Sequence, residues 1–462
     1  MPSSPQFDRD RFRVLVFRKE ISELLVQETV QGCALPSLEI PSHSRVAEEL
    51  TTAIETLWGL SVYCLFDLPN GSTAEQFRYQ VAELQNTAAE APTQMRWAST
   101  ILLNGTDFAN HADFAALQAA FAAFDLYRFD KPLTPFTKPG WLAEVAGWVA
   151  AEAAALGLEF TGKVRQLNAS PTFSLIRFET NGPALWFKAA GEPHRHEYGI
   201  TLELAERLPR HVPRLVASRP EWNAWLSTEV EGTHLAEGSP TSDWINAAAA
   251  LADLQIASFG NGLHLIESGC KDVRASSLLE RIDPFFSGIA PLMMAQTKQT
   301  PAPLTERELA TLATDVRKAL EELLRSNVPD VLGHLDCNPG NIVVSRSRTV
   351  FLDWAEGCVG HPFFTFQYLL EHWRKFHGRY HREEETFVSV YTNPWNCFLS
   401  ARSVAADLPW IPLLAAFAYA ASGSALSRAA AHPGVATFLR SITRRMKREA
   451  DALRKERLAC VR

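Results

Sequence analysis

Short apolar runs of strand length alternate along this chain with longer stretches of helical period. Phe12 to Phe17, Glu23 to Glu28 and Ser61 to Phe66 predict strands, and Arg45 to Leu57 predicts a helix ahead of the last of them. An alanine-rich helix is expected from Asp113 to Phe124. The connector Lys131-Pro132-Leu133-Thr134-Pro135-Phe136-Thr137-Lys138-Pro139-Gly140 then breaks the pattern, because its prolines remove amide donors and fix φ; a further helix is expected from Trp141 to Leu156. Beyond it, Phe173 to Phe178 and Ala184 to Lys188 read as strands joined at Asn181-Gly182. Near the end, Leu439, Ile442, Met446, Ala450 and Leu453 form an apolar stripe at helical spacing that is expected to pack on the body of the protein, while Arg440, Arg444, Arg445, Lys447 and Arg448 line the rest. At 462 residues the chain exceeds what one core usually organises. The pattern implies an α+β protein of two domains: residues 1–130, a linker at 131–140, and residues 141–462.

The densest chemistry lies in Val331-Leu332-Gly333-His334-Leu335-Asp336-Cys337-Asn338-Pro339-Gly340-Asn341-Ile342-Val343-Val344, followed by Val350-Phe351-Leu352-Asp353-Trp354. Two apolar segments bracket a polar loop holding Asp336 and, five residues on, Asn341; a second carboxylate, Asp353, ends the next apolar run. Phosphoryl transfer needs such a set, since a base must orient the acceptor hydroxyl while oxygen ligands hold magnesium between the phosphates. Taken alone, Asp336 and Asn338-Pro339-Gly340 read as a simple turn between strands. The joint spacing, with both flanking runs, favours a phosphotransferase site.

His334-x-Asp336-x-x-x-x-Asn341 with Phe351-Leu352-Asp353-Trp354 resembles the aminoglycoside phosphotransferase and choline kinase family, whose members share the protein-kinase-like fold. The resemblance covers roughly two thirds of the chain. It implies that Asp336 is the catalytic base, that Asn341 and Asp353 are magnesium ligands, and that His334 is a structural histidine of the loop. It also implies a strand lysine for the nucleotide's α- and β-phosphates, matched by Lys188, and a helix glutamate to hold it, matched by Glu197 with Glu203 as runner-up. Gly357-Cys358-Val359-Gly360-His361-Pro362-Phe363 fits the family's Gly-x-Pro-Phe after the metal aspartate, with His361 as a loop hydrogen-bonder and Glu356 as a further candidate near the metal. The sequence departs from the protein kinases at Gln166-Leu167-Asn168-Ala169-Ser170-Pro171-Thr172, read as a loop between the first two strands, which has no Gly-x-Gly-x-x-Gly. Ser170 and Thr172 are left as candidate phosphate donors. Val212 to Val216 and Ala224 to Gly232 resemble the family's middle strands leading to the hinge, and backbone around Glu229 to Glu231 is then expected to meet the adenine edge.

The first domain has a fainter likeness. Its order of strands and helix resembles a Nudix fold, and Leu35-Pro36 and Trp58-Gly59-Leu60 align with the ends of a Nudix box without a gap. The metal-binding positions between them carry Leu38, Ser44, Thr52, Ala53, Thr56 and Leu57 instead of glutamates, so hydrolysis is not expected. Glu48, Glu49 and Glu55 are out of register and expected to face solvent. The domain reads as a degenerate Nudix-like module for binding or assembly.

A formal charge of −7 and a pI near 6.0 argue against a nucleic-acid surface. Seven scattered cysteines without Cys-x-x-Cys spacing point to reduced thiols and no zinc site. Cys337, beside Asp336, is expected to be structural. Trp410 to Ala421, the longest apolar stretch, is too short to span a bilayer, and the expected location is the cytoplasm. The function that follows is ATP-dependent transfer of a γ-phosphoryl group to a hydroxyl of a small molecule, with ATP and Mg2+ as cofactors and GTP left open as donor. No nucleic acid or membrane partner is expected; the oligomeric state is not legible. Acceptor pockets in this fold come from variable helices, here between Ala236 and Asn327 and after Phe364. Glu371 and Glu383 to Glu385 suit a cationic acceptor, although a solvated acidic face is the simpler reading. The alternatives are a catalytically inactive nucleotide-binding or regulatory kinase-like protein and, behind it, a Nudix-type hydrolase with a kinase-like appendage.

Overall fold

The computed structural model of the chain describes residues 9–460 apart from 43, 69–76, 130–134, 171, 299, 327, 379–381, 400–406, 424 and 430–432. It divides into two compact units, Met1–Tyr198 with Arg214–Glu229, and Gly199–Pro213 with Val230–Arg462. Of the connector expected at 131–140, Lys131 to Thr134 lie outside the described residues; Pro135–Thr137 form a single 3-10 turn with Phe136 buried.

The first unit opens with a seven-stranded mixed sheet of β1 (Arg9–Arg18), β2 (Glu23–Thr29), β3 (Gly32–Ala34), β4 (Ser37–Pro41), β5 (Val62–Leu68), β6 (Phe77–Leu84) and β7 (Met95–Ser99). The strand order is β3-β2-β1-β6-β5, with β4 paired to β1 and β7 to β2, and β1 runs parallel to β6. The period-two alternation of β1 serves two cores, which is why Val14 to Phe17 is apolar at every position. Phe12, Val14 and Val16 meet α1 (Val46–Trp58) through Ala47, Leu50 and Ile54, whereas Leu15 and Phe17 meet α2 (His111–Phe129) through Leu117, Ala120 and Phe124. Gly59 ends α1 with φ of 65°, its amide closing on the Glu55 carbonyl, a left-handed cap that glycine takes at little cost.

The second sheet of this unit is antiparallel: β8 (Phe160–Ser170), β9 (Phe173–Thr180), β10 (Leu185–Ala190), β11 (Leu215–Arg219) and β12 (Ala224–Thr228), in the order β11-β12-β10-β9-β8. The helix α3 (Trp141–Ala155) lays Trp141, Val145, Val149 and Ala153 into the same core as Ile176, Phe178, Leu185 and Phe187, and that core also contains Leu15, Phe17 and Phe124 of the N-terminal layers. Residues 166–170, read from sequence as loop, are strand. A bulge between Gln166 and Asn168 interrupts the alternation there, so the run does not look like a strand. Glu48 does not simply face solvent, because β8 packs beside α1 and Arg165 brings its guanidinium onto the Glu48 carboxylate.

The strand β5 is an edge of the first sheet and carries a bulge between Cys64 and Phe66. Its outer amide and carbonyl at Cys64 are both taken by the Gln166 carboxamide, each at 2.8 Å. One side chain thus stands in for a neighbouring strand, and both backbone groups of a buried edge are satisfied. Tyr63 and Ser174 add a hydroxyl contact at 3.3 Å.

The second unit takes most of α4 (Glu197–Arg207), whose first turn belongs to the first unit, and then β13 (Thr233–His234), α5 (Thr241–Ala257), α6 (Gly262–Glu267), β14 (Lys271–Val273), α7 (Ala275–Met294) and α8 (Glu306–Ser326). It continues through β15 (Val331–His334), β16 (Ile342–Val344), β17 (Thr349–Phe351), β18 (Gly357–Gly360), α9 (Pro362–His377), α10 (Glu384–Thr392), α11 (Ile411–Ala421), α12 (Ala425–Arg428) and α13 (Pro433–Cys460). Two small sheets, β13-β16-β17 and β14-β18-β15, sit among the helices. The stripe Leu439, Ile442, Met446 and Ala450 of α13 is buried in the core of this unit, with Leu453 packed against it, as its spacing implied. No described helix is long and apolar enough to cross a membrane.

Candidate active site

Lys188 lies on the central strand β10, opposite Leu175 of β9 and Trp225 of β12. Its neighbours Phe187 and Ala189 point into the core, so alternation turns the lysine to the other face, where Phe173 and Trp225 rings lie 5.4 and 5.8 Å from Nζ. There Nζ donates to Glu197 Oε1 at 2.6 Å, and Glu197, at the start of α4, is buried. Glu203 is not the partner; six residues further along α4, it takes the Arg207 guanidinium. Ser170 and Thr172 stand together at the β8–β9 turn with their hydroxyls 2.8 Å apart. Glu229 follows β12: its amide donates to the Ala184 carbonyl at 2.8 Å and its carboxylate accepts from Arg177, which holds the carboxyl below its ordinary range. The amide and the carboxylate of Glu229 are thus both committed within the first unit. Glu231, in the second unit, is exposed.

The second cluster is built by a hairpin. Residues 342–344 of β16 pair with 349–351 of β17, and the ladder extends one step further through the Leu352 amide onto the Asn341 carbonyl at 2.8 Å. That step brings Asn341 and Asp353 to the same open end of the hairpin. Asp353 has φ of 61° and ψ of 67°, the left-handed region that an aspartate tolerates better than most residues. On the other side, β15 delivers the loop. His334 is buried, its Nε2 donates to the Leu352 carbonyl at 3.0 Å and its Nδ1 accepts the Asp336 amide at 3.1 Å. An acceptor at Nδ1 and a donor at Nε2 define a neutral ring, and burial lowers its pKa in the same sense. Protonation would cost the Asp336 amide its partner.

Asp336 itself is fastened by its neighbours. Asn338 Nδ2 donates to its Oδ1, and Asn341 Nδ2 donates to its backbone carbonyl at 3.0 Å with a longer reach of 3.5 Å to Oδ2. Burial, then the charges of Asp353 and Glu356, raise its pKa, with His334 and Asn341 opposing. Because the Asn341 NH2 is committed to Asp336, the remaining amide atom is the oxygen, the kind a magnesium ion accepts. Cys337 is buried and its thiol is pushed up to about 12, so it stays protonated. His361 caps α9 by accepting the Phe363 amide and donates to Asp407, a loop hydrogen-bonder as expected.

Several groups here had no sequence signal. Thr365 Oγ1 accepts the His334 amide at 2.9 Å, Tyr368 donates to Asn338 Oδ1 at 3.3 Å, and His234 donates to the Gly340 carbonyl at 2.7 Å. Gly333 must be glycine, since a Cβ would lie 2.8 Å from Cys358 Sγ and 2.9 Å from Thr365 Oγ1. Beside the loop, His334 and Leu335 form one end of a cavity of about 280 Å3 walled by α9, α11 and α13.

Residues 188–386 match the model of the family described as the phosphotransferase enzyme family. The chain carries a region of this family. The matched residues include Lys188, Asp336, Asn341 and Asp353. Among curated proteins none matches the chain. Solved structures similar to this chain include an ethanolamine kinase of Plasmodium vivax, 13% identical over 71% of this chain and 93% of its own, with a TM-score of 0.47. A choline kinase of Streptococcus pneumoniae is 17% identical over 68% of this chain and 99% of its own, TM-score 0.41. A macrolide 2'-phosphotransferase of Brachybacterium faecium is 16% identical over 65% of this chain and 97% of its own, TM-score 0.41.

Proposed function

We propose that the chain transfers the γ-phosphoryl group of ATP to a hydroxyl of a small molecule. The observation that carries this reading is the Asp336 loop: one aspartate whose backbone and side chain are pinned by two asparagines and a neutral histidine, with a second carboxylate on the adjoining hairpin. Asp336 accepts the hydroxyl proton of the acceptor, and burial, by raising its pKa, makes it a stronger base. Asn341 and Asp353 would hold magnesium, which supplies charge neutralisation between the phosphates; two protein oxygens suit an ion that keeps water and phosphate in its shell. Lys188, held by the buried Glu197, supplies a fixed positive charge for the nucleotide phosphates. Ser170 and Thr172 contribute hydroxyl or amide donors at the turn above them in sequence.

The same reading takes residues 141–462 as the kinase-like domain and residues 1–130 as a Nudix-like module without hydrolytic chemistry. A mixed sheet with α1 on one face and α2 on the other supports the likeness. It also places the protein in the cytoplasm, consistent with free thiols at six described cysteines. The test is phosphorus NMR of the full chain with MgATP against a panel of amino alcohols, hydroxy acids, sugars and aminoglycosides. A new phosphomonoester with one acceptor class supports the proposal; ATP left intact with every class overturns it.

A further inference from the structure

The cavity beside the Asp336 loop has a polarity that the sequence did not show. All its walls belong to the second unit. Phe364, Tyr368 and Glu371 lie at successive turns of α9, and Phe438, Ile442, Arg445 and Arg448 do the same on α13, so two helical faces meet across the space. Near the loop the walls are aromatic. Tyr368 and Tyr419 are nearly parallel with centroids 6.4 Å apart, and Phe438 stands edge-on to Tyr419 at 5.7 Å. Tyr368 donates to Asn338 Oδ1 at 3.3 Å and Asn338 in turn donates to Asp336 Oδ1, which ties this end of the cavity to the carboxylate. Away from the loop the walls are charged, and Glu371, the acid among the described lining residues of this cavity, is already paired. Glu371 Oε1 accepts from both the Arg445 guanidinium and Gln367, and Glu384 Oε1 accepts two N–H groups of Arg374. Among the described residues no carboxylate pairs with Arg448, while Arg445 has further N–H donors beyond the one on Glu371. A second recess of about 660 Å3 shares Gln367, Glu371, Arg445 and Arg448 and adds charges of both signs, Arg374 and Lys375 with Glu384 and Glu449.

We propose that this cavity takes an anionic acceptor: a small molecule with its hydroxyl toward Asp336, an apolar or aromatic body between Tyr368, Tyr419 and Phe438, and a carboxylate or phosphate group at Arg445 and Arg448. Within this cavity the carboxylate among the described lining residues that a cationic acceptor would meet is Glu371, which already holds Arg445. An oxyanion gains the planar, multi-donor guanidinium geometry that carboxylate and phosphate groups share. The position of the hydroxyl rests on the phosphotransfer reading; the charge preference does not.

The test uses three matched probes with the full chain: para-(hydroxymethyl)benzoate, para-(hydroxymethyl)phenylphosphonate and para-(hydroxymethyl)benzylamine. Calorimetric binding is measured without nucleotide, on wild type and on Arg448→Glu, with circular dichroism as the fold check. One or both anions should bind on the order of tenfold or more tighter than the amine, the scale of hydrogen bonds to a charged group, and Arg448→Glu should erase or invert that order. A stronger phosphonate assigns a phosphate ester, a stronger benzoate a hydroxy acid. Equal or tighter binding of the amine overturns the inference, as does failure of all three to bind or an unchanged order in a folded Arg448→Glu. Phosphorus NMR with MgATP is run alongside. Selective anion binding without any phosphoryl transfer supports the charge preference and counts against the phosphotransfer reading alone.

Discussion

Replacing Glu197 tests the best-defined contact of the first unit. Its side chain is 3% exposed and that of Lys188 13%, with 2.6 Å between Nζ and Oε1, so the pair sits largely out of water. Glu197→Ala leaves an ammonium group buried without its main counter-charge. Breaking such a pair from one side costs about 3–5 kcal/mol, whereas exchanging both partners for apolar residues of similar size is close to neutral. The double variant Lys188→Met with Glu197→Leu is therefore expected within about 1 kcal/mol of wild type. Glu203→Ala, which removes an exposed contact to Arg207 within one helix, should cost no more than about 0.5 kcal/mol. A chain of two units need not unfold in one step, so the quantity to measure is the local opening free energy from hydrogen exchange at β10 and α4 amides. A Glu197→Ala cost below about 1 kcal/mol, or single effects that simply add in the double variant, refutes the buried-pair argument.

Gln166→Ala should leave the Cys64 amide and carbonyl unpaired and cost about 2–4 kcal/mol, seen as faster exchange in β5; Gln166→Glu should cost less because it can still accept from the amide. His211, His334 and His372 all have pKa values lowered from 6.5, burial being the first cause in each. The folded chain therefore favours neutral rings, so stability is full above about pH 6.5 and is lost as pH falls below it toward the lowered folded values. The urea midpoint should drop between about pH 7.5 and 5.5, less steeply in His372→Phe; a flat or rising midpoint contradicts this. With Ser44, Thr52, Thr56 and Leu57 at the glutamate positions, the full chain with magnesium should not cleave nucleoside diphosphate derivatives. Release of monophosphate from such a compound argues for hydrolytic chemistry in residues 1–130.

The parts of this protein legible in sequence are those whose signals are local. His334, Asp336 and Asn341 fall within one loop, and Asp353 is one ladder step past a hairpin whose apolar strands announce themselves. Lys188 was visible as the polar end of a strand, and Glu197 as the first acid of the next helix. Gln166 was not, because its partner is Cys64, 102 residues away, and the bulge beside it erased the alternation that marks a strand. Glu371 and Glu384 read as candidate cation ligands; only the tertiary approach of α13 and of Arg374 shows them neutralised. Glu229 looked like hinge backbone, yet packing commits its amide and carboxylate to Ala184 and Arg177.

The central claim turns on the different tasks of two carboxylates. Calorimetric titration of ATP, with and without magnesium, into wild type, Asp336→Asn and Asp353→Asn separates them most directly. Wild type and Asp336→Asn should bind MgATP with similar affinity and bind free ATP more weakly, because Asp336 serves the acceptor and not the metal. Asp353→Asn should lose the difference between MgATP and ATP. If wild type binds nucleotide identically with and without magnesium, or if Asp336→Asn and Asp353→Asn lose MgATP to the same extent, the assignment of base and metal ligand is wrong and the phosphotransferase account fails with it.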